Sequence, residues 1–248
     1  MATHFKGPIL YSAARKGLEN LQVGVWTNQA VFLDDFTGIV IDTTNDWTVV
    51  KDSGATVAIT ADAATGVLAL TSAATTDNDG ASIQGNEIFQ LPTTAGEKLF
   101  FESRFFASTT AGSGVGQMDI WVGLTENFAT HPENAFLATN RIGFQIDDGS
   151  SLTRLISESG GTETETELAS TYNLVDDTYV TLGFIATKGT STDTVQYYHN
   201  RKLVGTHTTN IPTALLTPAM VEVTGDATGT KSMSVDYIMA AVDRGVTY

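Results

Sequence analysis

Short apolar segments separated by turn-forming residues run through most of this sequence, and they constrain the fold more than any other feature. Stretches such as "ATVAIT", "KLFFESRFFAS", "MDIWVGL" and "YVTLGFIAT" have the length and apolar content of β-strands, several with a two-residue alternation. Between them lie segments rich in Gly, Asp, Asn and Thr, which favour turns. There is no long helical pattern and no strand–helix–strand alternation, so a parallel α/β sheet is excluded. The pattern predicts an all-β protein, either a sandwich or a barrel.

The composition divides the chain into a short first segment and one large domain. The 248 residues are 42% hydrophobic, which is enough to bury a substantial core. Residues 1–33 hold three basic side chains and one acidic side chain, a formal charge of +2, which leaves −17 for residues 34–248. The apolar residues of the first segment follow no sustained period. We predict an extended N-terminal arm at 1–33 and a β-sandwich domain at 34–248.

Charge and composition exclude several classes of partner. The formal charge of the whole chain is −15, whereas nonspecific binding to a phosphate backbone needs basic side chains. The chain has no cysteine, so it has neither a disulfide nor a thiolate nucleophile. No stretch approaches the roughly 20 apolar residues that cross a bilayer, and the first residues do not resemble a signal peptide. We therefore expect a soluble protein whose partners are neither nucleic acid nor membrane.

The segment "QMDIWVGLTE" resembles the catalytic strand of a large family of jelly-roll glucanases, which carries Glu-x-Asp-x-x-Glu. In this sequence the same frame reads Gln117, Asp119 and Val122. Glycoside hydrolysis normally needs two carboxyl groups, and Asp119 is the one acid that remains in the frame. The strand therefore predicts no catalytic residues and a protein that is not an enzyme. Trp121 is suited to stacking on a sugar, but we expect a core or interface position for it.

Two acidic turn segments, "DNDG" at 77–80 and "DDG" at 147–149, are the candidates for metal binding. Neither supplies the ligand set of a calcium loop, because "DNDG" lacks an acid at the twelfth position. Asp and Asn in such segments form turns by bonding their own backbone. We interpret Glu163, Glu165 and Glu167 as a solvated strand face, and the four histidines lack metal-ligand spacing. The sequence predicts no metal, no cofactor and no dependence of stability on calcium.

A series of later segments is similar to the concanavalin A-like (laminin-G-like) jelly roll. It includes the apolar strand "YVTLGFIA", a hairpin over Val195–Val204 with its turn near Asn200 and Arg201, and a last strand containing Val235–Ile238. The resemblance covers about residues 40–243. It implies an antiparallel β-sandwich of the concanavalin A-like jelly-roll type.

A narrower resemblance is to structural proteins of tailed bacteriophages, and it rests on "MATHFKGPILYS", "DNDGASIQ" and "MDIWVGL". It implies a capsid decoration (cement) protein, made in the host cytoplasm, that binds the major capsid protein on the virion surface and stabilises the head. Such a protein is expected to form a homo-oligomer, such as a trimer. The alternatives are a carbohydrate-binding module of a phage tail fibre or spike, and a glucanase with displaced acids.

The N-terminal arm contains the predicted partner-binding residues. An apolar segment without a core of its own must bury itself elsewhere, on a partner or on a sister subunit. A flexible tail and an arm folded over its own sandwich are the alternatives. The apolar anchors and the basic side chains expected at their rim are Phe5, Ile9, Leu10 and Tyr11, and Lys6, Arg15 and Lys16.

Overall fold

The computed structural model describes residues 29–38, 40–60, 66–73, 77–109, 117–225 and 229–244. Strands occupy most of these residues, and in chain order they are β1 (Gln29–Asp34), β2 (Thr48–Lys51), β3 (Thr56–Ile59), β4 (Leu68–Thr71), β5 (Gly80–Gln84), β6 (Lys98–Thr109), β7 (Met118–Thr125), β8 (Arg141–Ile146), β9 (Arg154–Ser159), β10 (Thr162–Glu167), β11 (Val180–Thr187), β12 (Thr194–His199), β13 (Lys202–His207), β14 (Thr217–Thr224) and β15 (Lys231–Asp243). Two 3-10 helices accompany them, η1 (Pro132–Leu137) and η2 (Ser170–Tyr172). Within this part of the chain no helix is both long and apolar enough to cross a membrane.

The strands form two antiparallel sheets that pack face to face. Sheet I has the order β13-β12-β11-β6-β15-β4-β3, and β1 pairs with the second half of β15. Sheet II has the order β10-β9-β8-β7-β14-β5-β2. Strands next to each other in a sheet are mostly distant in sequence, because the chain passes repeatedly from one sheet to the other. The predicted all-β antiparallel sandwich is confirmed.

The main core lies between the sheets and is built by the alternation that the sequence shows. The inner face of β7 contributes Ile120 and Val122, both completely buried. From sheet I, Phe101 and Phe184 lie opposite each other on β6 and β11 and stack with 5.6 Å between ring centroids. A completely buried aromatic or aliphatic side chain contributes about 1.5–3 kcal/mol of transfer free energy. A core of this extent holds the two sheets together without a disulfide.

The hairpin of β12 and β13 has the turn that the sequence predicts. Asn200 and Arg201 have positive φ values of 48° and 65°, which a two-residue hairpin turn requires. His199 consequently pairs with Lys202 across the turn.

The first described residues belong to the sandwich rather than to an arm. Residues 29–33 fall within β1, where Val31 pairs with Ala241, and Phe32 packs edge-to-face on Trp47 at 5.1 Å between centroids. The predicted boundary at residue 33 therefore falls inside a strand, because the apolar residues just before it alternate and pair with β15. The seven predicted partner-binding residues lie outside the described part of the chain: Phe5, Lys6, Ile9, Leu10, Tyr11, Arg15 and Lys16.

The main core also contains a buried carboxyl group near one end of the sandwich. Glu222 lies opposite Ile120 and is completely buried, and neither of its carboxyl oxygens has a hydrogen-bond partner. Burial raises the pKa of Glu222 well above its ordinary value, while Ser72 and the buried Lys231 act in the opposite direction. The surroundings therefore favour the protonated form of Glu222.

Candidate functional site

The outer face of sheet II, which points away from the main core, carries the residues of the glucanase-like frame. Because side chains alternate along β7, Asp119 and Trp121 lie on this face while Val122 faces the main core. Val122 is thus the packing residue that the sequence predicts. Gln117 precedes β7, and its carbonyl accepts a hydrogen bond from the Gly225 amide at 2.8 Å.

Asp119 has carboxyl neighbours that come from outside its own strand. Its Oδ1 accepts a hydrogen bond from the backbone amide of Asp148 at 2.7 Å, and Asp148 belongs to the turn after β8. Burial raises the pKa of Asp119, and the charges of Asp148 and of Glu133 in η1 raise it further. The Asp148 amide and Arg154 act in the opposite direction. We call Asp119 and Asp148 the Asp119 site.

Both acidic segments form turns, as the sequence predicts. In "DDG" the Ser150 amide donates to the Asp147 carbonyl at 3.1 Å, and Gly149 has a φ of 73°. In "DNDG" Asn78 has a φ of 66°, and its amide donates to the Thr224 carbonyl of β14 at 2.8 Å. The turn conformation of "DDG" is what brings the Asp148 amide to Asp119.

Beside the Asp119 site, strands β8 to β10 present a network of charged side chains, which we call the charged ladder. Arg141 bonds Glu158 at 2.7 Å and Glu163 at 2.6 Å, and also reaches the Gln145 amide oxygen at 2.9 Å. The next rung is Arg154, which is paired with Asp147 and with Glu165. The acidic row of β10 is exposed, as predicted, but Glu163 and Glu165 also belong to these ion pairs.

A compact loop, residues 126–140, lies across the other half of the same face, and we call it the Ω-loop. Its ends are joined by Glu126, whose amide donates to the Asn140 carbonyl at 3.1 Å. The Glu126 carboxylate accepts from the amides of Thr139 and Asn140 at 3.0 and 3.1 Å. Helix η1 lies within the loop and packs on β5, β7 and β14. Ends held this close are typical of an Ω-loop.

Under the Ω-loop lies a second apolar cluster, separate from the main core, which we call the loop-covered cluster. Phe128 of the loop packs there with Trp121 and Val221. A Cβ on Gly143 would approach the indole ring of Trp121 to 3.0 Å, so glycine gives the ring room to lie across β8. Trp121 is completely buried, which confirms the predicted core position.

A serine–histidine contact occurs elsewhere, where sheets I and II meet at β13 and β9. Ser157 Oγ lies 2.9 Å from Nδ1 of His207, and Thr166 Oγ1 lies 3.0 Å from Nε2. Ser157 is completely buried and His207 nearly so, which leaves no access for a substrate. The contact therefore joins the two sheets, and no local pattern indicates it because its members are far apart along the chain.

No group of three or more His, Cys, Asp or Glu side chains in the described ranges is arranged to hold a metal ion. The absence of a metal and of a cofactor remains a prediction of the sequence.

Comparison with known proteins identifies the fold. No protein-family model matches the sequence, and no curated protein matches it. Among solved structures, the endo-1,3-β-glucanase from Streptomyces sioyaensis is similar over 88% of this chain and 98% of its own, with a TM-score of 0.62 and 15% identity. Peanut lectin is similar over 86% of this chain and 97% of its own, with a TM-score of 0.57 and 9% identity. An endo-β-1,4-glucuronan lyase from Trichoderma reesei covers 86% and 94%, at a TM-score of 0.55 and 12% identity.

The fold is therefore the concanavalin A-like jelly roll, which the sequence resemblance implied. The similar structures include a glucanase and a lyase, which contradicts the prediction that this chain is not an enzyme, so that prediction is wrong. That prediction considered a single strand. The backbone amide of Asp148 reaches Asp119 from a turn, and the charges of Asp148 and Glu133 act on Asp119, so spacing along β7 could not reveal these neighbours.

Proposed function

We propose that the protein binds a carbohydrate chain on the outer face of sheet II, at the Asp119 site and along the charged ladder. The observation that carries the proposal is the half-buried Asp119, which accepts the Asp148 amide at 2.7 Å beside the exposed Glu165 carboxylate and the half-buried Arg154 guanidinium. Carboxylates accept hydrogen bonds from hydroxyl groups, and guanidinium and amide groups donate to them. The lectin and glucanase folds of the similar structures support the same class of ligand.

The negative charge of the protein restricts the kind of carbohydrate that it can bind. The formal charge is −15, and the site itself combines two acidic residues. An anionic polysaccharide would meet repulsion both at long range and in contact. The site therefore favours a neutral glycan, and neutral β-glucan oligosaccharides are suitable probes.

Calorimetric titration with laminarihexaose and cellohexaose tests this proposal. Asp119→Asn removes the charge at the centre of the site and is expected to weaken binding of the better ligand about tenfold, or about 1.4 kcal/mol. Asp193→Asn is the matched control, because Asp193 bonds Lys188 and Gly189 in a loop of sheet I. Equal affinities of the wild type and Asp119→Asn would contradict the assignment of the site.

Hydrolysis of the bound glycan is a second candidate function, because a second acidic residue, Asp148, lies beside Asp119. Burial raises the pKa of Asp119, which is the direction of change that a general acid needs. Release of reducing ends from a β-glucan, lost in Asp119→Asn, would support catalysis. Binding without turnover of any glucan tested would limit the function to recognition.

We further propose the virion surface as the location, on the sequence resemblance alone. The residues expected to bind the major capsid protein lie outside the described part of the chain. A mass-spectrometric inventory of purified particles tests the location. Many copies per head would support a decoration protein, a few copies would support a tail component, and absence from particles would reject both.

A further inference from the structure

Two buried polar atoms lie without a partner at the Ω-loop. The Trp121 indole N–H and the Thr125 hydroxyl are completely buried, and neither has a hydrogen-bond partner. Both side chains belong to the outer face of β7, where Trp121 pairs with Gln145 and Thr125 with Arg141. A buried polar group without a partner costs free energy that water or a ligand would recover. With the loop in this position, the two polar groups stay unpaired at a cost in free energy. Displacement of the loop removes that cost.

The backbone of the loop adds to this cost. Thr130 has a φ of 77°, in the left-handed region that β-branched residues rarely adopt. The residue lies between Phe128, which packs into the loop-covered cluster, and His131. Strained conformations of this kind persist only where the surrounding contacts impose them, and they concentrate at binding sites and switches.

Side chains from the rest of the sandwich hold the loop down by polar contacts, among them Glu87, which accepts from the Asn127 amide at 2.7 Å. Gln84 donates to the Phe128 carbonyl at 2.5 Å and accepts from the Phe128 amide at 3.0 Å. His131 Nε2 lies 3.2 Å from Asp52 Oδ1, and the imidazole is partly exposed, so water screens this pair. These contacts oppose the free-energy cost of the unpaired Trp121 and Thr125 atoms and of the strained Thr130 backbone.

We propose that residues 126–140 are a lid over a sugar-binding subsite formed by Trp121, Thr125 and Arg141. This inference rests on the proposed carbohydrate binding and adds a second subsite next to the Asp119 site on the same strand. With the lid displaced, the indole face accepts a pyranose ring, and the indole N–H and the Thr125 hydroxyl bond its hydroxyl groups. Arg141 is a positioning residue, since its guanidinium lies 5.3 Å from the indole centroid and is fixed by Glu158 and Glu163.

A lid of this kind makes affinity depend on the open population. When the binding-competent state is a small fraction of the molecules, the apparent dissociation constant is the intrinsic constant divided by that fraction. A substitution that raises the open fraction tenfold must therefore tighten binding tenfold, provided that the open form remains the minor one. This quantitative link separates a lid from a loop that is merely less stable.

The test uses the full-length chain and compares Gln84→Ala with Gln90→Ala. Gln84→Ala removes the clamp on Phe128, whereas Gln90 contacts the Thr213 carbonyl away from the lid. Hydrogen exchange of the amides at 127–136 reports lid opening, and calorimetry reports the affinity for laminarihexaose. We expect exchange about tenfold faster in Gln84→Ala and an affinity higher by the same factor, with Gln90→Ala unchanged. Asp52→Asn, which removes the charge facing His131, is expected to shift both quantities in the same direction by a smaller factor.

Adding Trp121→Phe to Gln84→Ala keeps an aromatic ring and removes the indole N–H. We expect this double variant to lose the gain in affinity while keeping the faster exchange. Faster exchange without tighter binding, or a gain that survives Trp121→Phe, would overturn the lid subsite. If Asp119→Asn abolishes binding but the lid variants leave it unchanged, the lid fails and the proposed function stands. If no variant binds either laminarihexaose or cellohexaose, both proposals fail.

Discussion

The two apolar clusters of this protein, the main core and the loop-covered cluster, differ in what closes them. The main core lies between two sheets whose strands are paired along their lengths, whereas the loop-covered cluster has a sheet on one side and the Ω-loop on the other. Both contain polar groups without partners, Glu222 in the first and Trp121 in the second. Only the loop-covered cluster can be exposed by moving a single segment, the Ω-loop. The same jelly roll thus combines a permanent core with a cover that can be displaced.

Truncation of one aromatic side chain in each cluster should give the largest difference between them, measured as the loss in the free energy of unfolding. Phe184→Ala in the main core is expected to lower the free energy of unfolding by about 3–5 kcal/mol, since its neighbours are held by two sheets and cannot close the cavity. Phe128→Ala in the Ω-loop is expected to cost about 2 kcal/mol or less, because the loop can relax and water can enter. Urea unfolding measures both, and similar losses would mean that the loop is as rigid as the sheets.

Lowering the pH should destabilise the contact between the sheets at Ser157 and His207 more than it destabilises the Ω-loop. Burial lowers the pKa of His207, so between its folded value and the ordinary 6.5 the unfolded chain binds the proton more readily. The stabilising effect of neutral His207 is therefore complete above about pH 6.5 and declines as the pH falls through the window below it. Unfolding free energies between pH 7.5 and 5 should show this decline.

His207→Gln should flatten that decline, and the slope that remains belongs in part to His199, whose pKa burial also lowers. Gln90→Ala, which changes no titratable group, is the control and should retain the wild-type slope. An unchanged slope in His207→Gln would show that protonation of His207 does not affect the free energy of unfolding.

Chelation has the smallest expected effect. Neither acidic turn supplies a complete calcium ligand set. In the structure "DDG" closes a turn with a backbone hydrogen bond, and "DNDG" is bonded through its backbone to Thr224 of β14. The melting temperature should be the same with and without a chelator. A fall of many degrees would show that the turns of "DNDG" or "DDG" hold a metal in solution.

The fold could be predicted from the sequence because its signals are local. Alternation along β7 correctly separated Val122 in the main core from Trp121 on the outer face, and the Asn200–Arg201 turn fixed the pairing of His199 with Lys202. Each of these features depends on the two-residue period of a strand or on the conformation of a turn.

The site could not be predicted in the same way, since it is assembled from separate segments. Asp148 lies 29 positions after Asp119, and no spacing rule joins an acid on a strand to a distant turn. The sequence showed "DDG" as a turn but not where the turn would place its second acid. The lid was equally hidden, because the apolar character of Phe128 does not indicate which face it covers.

A titration followed by nuclear magnetic resonance tests the central claim most directly, that the outer face of sheet II binds carbohydrate. The amide of Asp148 donates to Asp119, so its chemical shift reports any ligand that enters the Asp119 site. On addition of laminarihexaose or cellohexaose, we predict saturable shifts at Asp148, along β7 to β9 and in the Ω-loop, with Asp193 unchanged. Shifts confined to sheet I, or no saturable shift with either oligosaccharide, would contradict the account.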